Sequence, residues 1–290
     1  MNPFVLNRQP NKISREVASN HENDVVHDKQ HNGLPCRRVP ARLYHILDQG
    51  ARPSFGAGRL LKESILLNKT NEGCDMTLAP PGILAIFNNV APDREAEFEE
   101  WFQHEHLQER LGLPGFLLGR RYEALKGTPD YFNFYVTRSV DVLSSDEYRM
   151  RLNNPTPMTR MVMSGIFKDM IRAVCQQSLR LGRMRGAIAV TARFAKPPDE
   201  NALKARLETL LQDKGVACGE IWRAASAGQL PLSEEERLRG GDHRIEACLM
   251  VETLRVQDAD RIAAVLSTQF PAAMMGVYRL LCEIRSSDPT

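Results

Sequence analysis

The sequence lacks the patterns that mark thiolate metal sites, nucleic-acid binding and membrane spans. Its six cysteines include no CxxC pair, and four of them lie in apolar, strand-like runs, so we expect buried reduced thiols rather than disulfides or metal ligands. The net charge is only +2, and no basic field favours nucleic acid. No apolar run is long enough to cross a bilayer, and no apolar core of a secretion signal opens the chain. These absences predict a cytoplasmic protein that contacts neither membrane nor nucleic acid.

Signatures of covalent and metal catalysis are missing as well. No serine or cysteine stands in a nucleophile elbow. The string EHxxE that begins at Glu105 lacks the second histidine, at i+4, of a zinc-binding helix. His21, His27 and His31 could form a metal cluster, but their polar surroundings favour incidental histidines. We therefore predict no metal ion and no cofactor.

What the sequence does contain is a dense amphipathic segment that begins near residue 93. Asp93 is a suitable N-cap, and acidic residues follow in the first turn, where they suit the helix dipole. Aromatic residues recur at helical spacing and mark the face that packs on a sheet. They are Phe98, Trp101 and Phe102. Further along this helix, Glu105 and then Glu109 come onto or beside the aromatic face. His106 stacks near Phe102 and Glu109, whereas His104 falls on the outer flank.

A Pro-Gly turn ends this helix, and a strand with two arginines follows it. The helical period breaks at residues 113–115, and residues 116–125 alternate as strands do. On a pleated strand, Arg120 and Tyr122 face one side and Arg121 faces the other. Only one of the two arginines can therefore point inward, and alternation alone does not say which.

The motifs on this helix and strand resemble those of a known superfamily. WFxxEHLxER at 101–110, PGF at 114–116 and RRY at 120–122 are similar to the signature of the dimeric α+β barrel proteins, and most like their EthD-like branch. The resemblance implies ferredoxin-like βαββαβ units that pair their sheets into a barrel, with a ligand pocket between sheet and helices. Similar proteins include isomerases, polyketide cyclases, cofactor-free monooxygenases and haem enzymes, so the resemblance leaves the reaction open.

The order of elements that such a unit requires occurs twice in the chain. The first set comprises a strand at 83–89, a helix at 93–111, strands at 116–125 and 131–137, helices between 144 and 170, and a strand at 173–184. The second comprises a strand at 187–194, a helix after 199, strands at 216–225 and 244–253, a helix at 258–268 and a strand at 277–284. We predict an α+β fold in which two ferredoxin-like units, 76–185 and 186–290, pack sheet to sheet as an intrachain pseudo-dimeric barrel.

The remaining segments and the second half have simpler assignments. Residues 1–75 are polar and poor in periodic apolar residues, so we expect a disordered or loosely attached extension, with Met76 as an alternative start. The second half lacks the ionisable groups of the first, so we expect one active pocket per chain and a second half that is mainly scaffold. The charged loop at 226–242 is most simply a solvated connector, with a lid as the alternative.

The strand at 131–137 has two chemically different faces. Its polar and aromatic face consists of Tyr131, Asn133 and Tyr135. Its apolar face consists of Phe132, Phe134 and Val136. We expect the apolar face to meet the helices and the polar face to look into the barrel, where it could line a ligand site or only hydrogen-bond internally. Trp222 of the second half could reach the same barrel interior.

The ionisable residues of the first half indicate proton-transfer chemistry. His106 titrates near neutrality, and Glu105 could act with it or orient its imidazole. Arg120 or Arg121 could hold a carboxylate at two points, and a tyrosine could stabilise an enolate. The predicted catalytic residues are His106, Glu105, Arg121 and Tyr122. The predicted substrate-binding residues are Arg120, Tyr131, Asn133, Tyr135 and Trp222.

These residues and the resemblance together indicate a cofactor-independent isomerase- or lyase-type enzyme, monomeric or homodimeric, that acts on a small carboxylated or carbonyl-containing catabolite. Isomerisation, decarboxylation, cyclisation and ester or lactone opening are all compatible, and the resemblance favours catabolic substrates such as those of aromatic catabolism. One alternative is a haem-binding barrel enzyme, for which the second half offers only His243 at a loop edge. Another is a non-catalytic small-molecule binding protein. His106 itself could make only a structural hydrogen bond.

Overall fold

Antiparallel strands of this chain close into one barrel. The structure, a computed structural model, describes residues 79–225 and 231–287, and the expectations for residues 1–75 and for Met76 lie outside this part. Its eight strands are β1 Gly82–Val90, β2 Phe116–Gly127, β3 Tyr131–Thr137, β4 Phe167–Leu181, β5 Ile188–Phe194, β6 Val216–Ala224, β7 Ala247–Thr253 and β8 Met274–Arg285. They pair in the circular order β1-β3-β2-β8-β5-β7-β6-β4. The predicted α+β class is confirmed.

Helices cover the outer face of this barrel. They are α1 Glu95–Trp101, α2 Leu107–Leu111, α3 Asp146–Asn153, α4 Pro157–Met161, α5 Glu200–Leu210, α6 Glu234–Arg239 and α7 Val256–Gln269. A π-helical turn, Phe102–His106, joins α1 to α2, a second, Val162–Ile166, follows α4, and a 3₁₀ turn, Val140–Ser144, precedes α3. None of the described helices is long and apolar enough to cross a membrane.

Two predicted boundaries of these elements are wrong for local reasons. The first helix begins at Glu95 and has no side-chain cap, because Asp93 adopts a left-handed backbone with φ of 61°. The Met-rich helical run ends at Ile166, where the second π turn gives way to extended backbone at Phe167. Met170 therefore lies on β4, which begins before the predicted position. The bounds of β3 agree with the prediction.

Large apolar side chains fill the barrel lumen, the space enclosed by the eight strands. They include Phe87, Tyr122, Phe132, Phe134, Trp222, Met250 and Tyr278. An eight-stranded barrel is just wide enough for side chains to fill it, so the lumen is packed rather than open. The prediction for β3 is therefore inverted: Phe132 and Phe134 point into the lumen, and Tyr135 packs among the helices. Cys175 and Cys248 are free thiols in the same lumen core, as predicted.

Two further cores lie between the outer face of the sheet and the helices. One packs α5 and α7 on strands β5 to β8. The other packs α1 to α4 on strands β1 to β4 and includes Phe98, Trp101, Tyr135, Tyr148 and Met163. Gly115, in the turn before β2, has φ of 85°, a backbone that glycine adopts without strain. This turn sets the angle between α2 and the sheet, and the candidate site lies in the second of these cores.

Candidate active site

His106 lies on the face of the first helical segment that packs on the sheet. Its side chain is 5% exposed, whereas His104 is 69% exposed, as the sequence predicts. The π turn explains the placement, because Leu107 N–H donates to the Phe102 carbonyl and one residue is added to the turn. Trp101 and His106 consequently share a face, with ring centroids 4.2 Å apart.

A small cavity lies beside His106, between the sheet and the covering helices. Its volume is about 20 Å³, room for about one water molecule. The apolar lining consists of Leu84, Ile86, Phe102, Leu152, Met163, Phe167 and Met170. The polar lining consists of His106, Arg110, Asn133, Tyr148, Arg172, Glu235 and Arg239. The cavity therefore joins one imidazole to three guanidinium groups.

Burial and positive charge keep the imidazole of His106 neutral. Removal from water is the larger cause, and the guanidinium groups of Arg110, Arg239, Arg151 and Arg121 add to it, so the pKa of His106 lies well below its ordinary value of 6.5. The ring nitrogen Nδ1 is buried and has no hydrogen-bond partner among the described residues. A neutral imidazole with an unpaired nitrogen is able to exchange a hydrogen bond or a proton with a molecule in the cavity.

Helix α6 covers the cavity and carries two of its charged groups. Both carboxylate oxygens of Glu235 accept hydrogen bonds from Arg110 Nη2, at 2.7 and 2.9 Å, and both side chains are buried. Arg239 donates to both oxygens of Asp242, at 2.9 and 2.8 Å. The connector at 226–242 is therefore not simply solvated, because its described part, from residue 231, contains a helix that closes the pocket.

Arg172 of β4 is the third arginine of the cavity, and no carboxylate of the described residues pairs with it. Its Nη2 donates to the Tyr148 hydroxyl at 3.2 Å. Burial opposes its charge, but Tyr148, with Asp242 and Glu236, outweighs burial and raises the pKa of Arg172 above its ordinary value. Glu235 compensates the charge of Arg110 and Asp242 compensates that of Arg239, so the positive charge of Arg172 is left over in the lining. Such a lining favours an anionic occupant.

Two predicted substrate-binding residues lie next to His106. Asn133 lines the cavity, donates from Nδ2 to Asn88 at 3.4 Å, and has a buried Oδ1 without a partner in the described chain. The ring of Tyr135 lies 6.4 Å from that of His106, and its hydroxyl is likewise unpartnered among the residues described. Burial raises the pKa of Tyr135, so its hydroxyl keeps its proton. Both side chains face the helices rather than the lumen.

Glu105, a predicted catalytic residue, is bound to α4 and does not line the cavity. Its Oε1 accepts hydrogen bonds from the hydroxyls of Thr156 and Thr159, at 2.5 and 2.7 Å. Thr159 in turn accepts a hydrogen bond from Trp101 Nε1 at 2.9 Å. Because Thr156 is the N-cap of α4, the carboxylate lies at the positive end of that helix. These bonds fix the segment that carries His106 against α4.

Arg121 and Tyr131 face helix α1, away from the cavity. Arg121 donates to both carboxylate oxygens of Glu99, at 2.7 and 2.5 Å. Its guanidinium carbon lies 4.9 Å from the ring centre of Phe98, 4.3 Å from that of Phe102 and 5.3 Å from that of Tyr131. Partial burial raises the pKa of Glu99, but the bonds from Arg121 more than offset this and lower it. Arg121 is thus occupied by protein partners.

Arg120, Tyr122 and Trp222 point into the lumen and belong to a buried charge cluster. Glu252 Oε1 accepts hydrogen bonds from Arg120 Nη1 at 2.8 Å and from the Tyr122 hydroxyl at 3.0 Å. Trp222 Nε1 donates to Glu220 at 2.8 Å. The other members, which pair with the same two carboxylates, are Arg180 and Arg185. The alternation prediction is confirmed, since Arg120 points inward and Arg121 points outward, but neither lines the cavity beside His106.

Several cavity residues were not predicted from the sequence: Arg110, Tyr148, Arg172, Glu235 and Arg239. One local signal was available for Arg172, which alternates on β4 with Met170 and Val174, two residues of the helix-facing core. A cation within an apolar strand face indicates a polar function at that position. No comparable local pattern distinguishes Glu235 from its acidic neighbours.

An outer cleft adjoins the cavity. Its volume is about 220 Å³, and it is lined by Phe167, Lys168, Asp169, Met170, Arg239, Gly240, Gly241 and His243. Phe167, Met170 and Arg239 line both spaces, so these side chains separate the cavity from the cleft.

The fold and this site define the protein as a closed antiparallel α+β barrel with a helix-covered polar cavity on the outer face of its sheet. No family model and no curated protein matches the chain. Similar solved structures include an anthrone oxidase-like protein (11% identity, 72% of this chain and 94% of that one, TM-score 0.47). Others are a haem-binding protein of Thermus thermophilus (14%, 71% and 92%, 0.41) and a chlorite dismutase of Candidatus Nitrospira defluvii (11%, 75% and 94%, 0.38). The likeness is distant, and the fold assignment rests on the strand pairing described above.

A haem does not fit the spaces around His106 as they stand. The cavity holds about one water molecule, and the imidazole packs against Trp101 and Phe102. His243, the histidine named for the haem alternative, is exposed and lines the outer cleft. A Soret band in protein purified from iron-replete cells would favour that alternative, whereas colourless protein that takes up no added hemin would remove it.

Proposed function

We propose that the protein is a cofactor-independent enzyme that moves a proton on a small carboxylated or carbonyl-containing molecule bound beside His106. The observation that carries the proposal is a buried, neutral imidazole with an unpaired nitrogen, next to guanidinium groups at a cavity. A general base must be uncharged before it acts, and burial keeps His106 in that form. The surrounding arginines stabilise negative charge that develops on the substrate.

Isomerisation illustrates the proposed chemistry. His106 takes a proton from the carbon next to the substrate carbonyl, and the electrons of the broken C–H bond form an enolate. The positive charge around the cavity stabilises the enolate oxygen. The imidazolium then returns its proton to a different carbon, which restores the neutral imidazole and moves the double bond. Decarboxylation, cyclisation and ester or lactone opening remain further reactions within the proposal.

The other predicted site residues have supporting roles in this proposal. Glu105 and Arg121 hold the helix that carries His106, through Thr156 and Glu99 respectively. Tyr122 belongs to the charge cluster in the lumen. These residues act through the position of the helix or the barrel rather than on the substrate.

We further infer that residues 76–185 and 186–290 are two ferredoxin-like units, EthD-like in descent, in a cytoplasmic monomer or homodimer. Support comes from the strand order, in which β4-β1-β3-β2 and β8-β5-β7-β6 are each contiguous. The β2–β8 and β4–β6 pairs then join the two sheets. Light scattering on the purified full chain measures the oligomeric state.

Proton exchange tests the proposed function without knowledge of the natural substrate. The assay follows exchange of protons next to the carbonyl for deuterium in D₂O, by ¹H NMR, with 2-oxobutanoate, 4-oxopentanoate and 2-oxopent-4-enoate. The wild-type protein should accelerate exchange in at least one compound, and His106→Ala should lower the rate by about a hundredfold or more. His104→Ala is the matched control and should stay near wild type, because that imidazole is exposed. Equal losses in both variants, or no acceleration by wild type, would contradict the proposal.

A non-catalytic binding protein is the second candidate, and the same cavity supports it. The two candidates differ in what His106 does. A binding protein would retain a ligand after His106→Ala with nearly unchanged affinity, and it would show no proton exchange in the wild type. Calorimetry and the exchange assay on the same samples separate the two.

A further inference from the structure

We propose that Arg172 anchors a carboxylate of the ligand in the cavity beside His106, so that the site selects oxo-acids over neutral molecules of the same shape. The inference rests on the proposed function for the role of the cavity and adds the class of substrate. It assigns the anion contact to a residue different from Arg120 and Arg121, the two arginines that the sequence indicates.

The pairing of the arginines singles out Arg172. Arg110 is neutralised by Glu235, and Arg239 is neutralised by Asp242. Arg172 makes one side-chain hydrogen bond, to the Tyr148 hydroxyl, and lies in no ion pair with the described residues. It is therefore the cation of the lining whose charge remains available for a ligand carboxylate, and Arg–carboxylate contacts form by two parallel hydrogen bonds.

The acidic residues near Arg172 do not neutralise its charge. Asp242 and Glu236 raise its pKa, but Asp242 is bound to Arg239 through both oxygens. Glu236 does not line the cavity, and it forms an ion pair with Arg244 at 3.9 Å. A ligand carboxylate would therefore meet a charged guanidinium group that uses only part of its hydrogen-bonding capacity within the protein.

Strand register fixes how far the anchor lies from Asn133, which lines the cavity next to His106. Ile86 of β1 pairs with Asn133 on one side and with Arg172 on the other. Asn133 and Arg172 are therefore two strand spacings apart, about 10 Å between backbones, and their side chains converge on one cavity. A ligand that contacts both carries its carboxylate a few bonds from its reactive carbonyl.

The ligand needs more room than the cavity has. About 20 Å³ accommodates a water molecule but not a carboxylate with its carbon chain. The cleft supplies about 220 Å³ on the other side of Phe167, Met170 and Arg239. Methionine side chains repack readily, so displacement of Met170 joins the two spaces.

Calorimetry with a matched pair of probes tests the anchor in the full chain. The probes are 4-oxopentanoate and 4-oxopentanamide, which differ in charge and hardly in shape. Wild-type protein should bind the acid about tenfold or more tightly than the amide. Arg172→Gln should bind the acid about tenfold or more weakly than wild type and lose the preference. Arg244→Gln, which removes an exposed charge beside the cleft, should behave as wild type.

Each result supports or overturns the inference. It is overturned by failure of wild type to bind the acid, by equal binding of acid and amide, by retained affinity in Arg172→Gln, or by equal weakening in Arg244→Gln. If Arg172→Gln does not fold by circular dichroism, Arg172→Lys takes its place and should weaken acid binding, whereas Arg244→Lys should not. Binding that depends on Arg172 without proton exchange would refute the proposed function alone. Exchange that is unaffected by Arg172→Gln would refute the anchor alone.

Discussion

The barrel should lose stability as the pH falls below about 6.5, because His106 must remain neutral in the folded protein. In the unfolded chain the imidazole titrates near its ordinary pKa of 6.5, whereas burial and the neighbouring guanidinium groups set its folded pKa well below that value. Between the two pKa values, the unfolded chain binds a proton that the folded protein does not. The free energy of unfolding therefore decreases as the pH falls, by about 1.4 kcal/mol per pH unit. Above the pKa of the unfolded chain, His106 no longer lowers the free energy of unfolding.

Urea unfolding followed by circular dichroism between about pH 7.5 and pH 5 measures this slope. His106→Gln removes the titrating group and should flatten the slope by up to about 1.4 kcal/mol per pH unit below pH 6.5. His104→Gln is the control and should keep the wild-type slope, because its side chain lies on the surface. Carboxylates elsewhere in the chain contribute equally to the pH dependence of unfolding in all three proteins. Identical slopes in wild type and His106→Gln would refute the assignment of a buried neutral imidazole.

Three further predictions concern the structure around the site, each measured by urea unfolding. Glu235→Ala should cost up to about 3–5 kcal/mol, because the buried Arg110 loses the carboxylate bound to its Nη2 and keeps only Glu109 on Nη1, and replacing both residues by Met should recover most of the loss; an equal loss in the double variant would contradict the pairing. Phe132→Ala should cost about 3–5 kcal/mol through a cavity in the lumen, and a loss below about 1 kcal/mol would argue against a packed lumen. Gly115→Ala should cost about 1–2 kcal/mol because φ is 85°, and unchanged stability would mean that the turn relaxes freely.

The strands were predictable because alternation and turn residues are local signals. The strand Tyr131–Thr137 has the predicted bounds, since a Gly-Thr-Pro-Asp turn precedes it and its alternation is unbroken. Alternation defines two faces but does not say which one the barrel encloses. Both faces of β3 are buried. The contrast between a polar and an apolar face therefore did not reflect a difference in solvent exposure, and it could not tell which face points into the barrel. The barrel encloses the apolar face, with Phe132 and Phe134, because the other lumen side chains are also large and apolar.

The site was only partly predictable, because it depends on contacts distant in sequence. The burial of His106 followed from helical period, but its stacking on Trp101 depends on a π turn that no residue pattern indicates. The ion pair between Arg110 and Glu235 spans 125 positions. Local reasoning interprets the run of glutamates near residue 235 as part of a solvated connector, and only the closed barrel brings it over the cavity.

Helix α6 makes the surroundings of His106 in the first half depend on the completion of the second half. The carboxylate that neutralises Arg110 arrives with a segment between β6 and β7, long after the strands beneath His106 have been synthesised. Long-range contacts of this kind cost loop-closure entropy before they add stability, so the buried environment of this imidazole is complete only when both halves of the barrel have assembled.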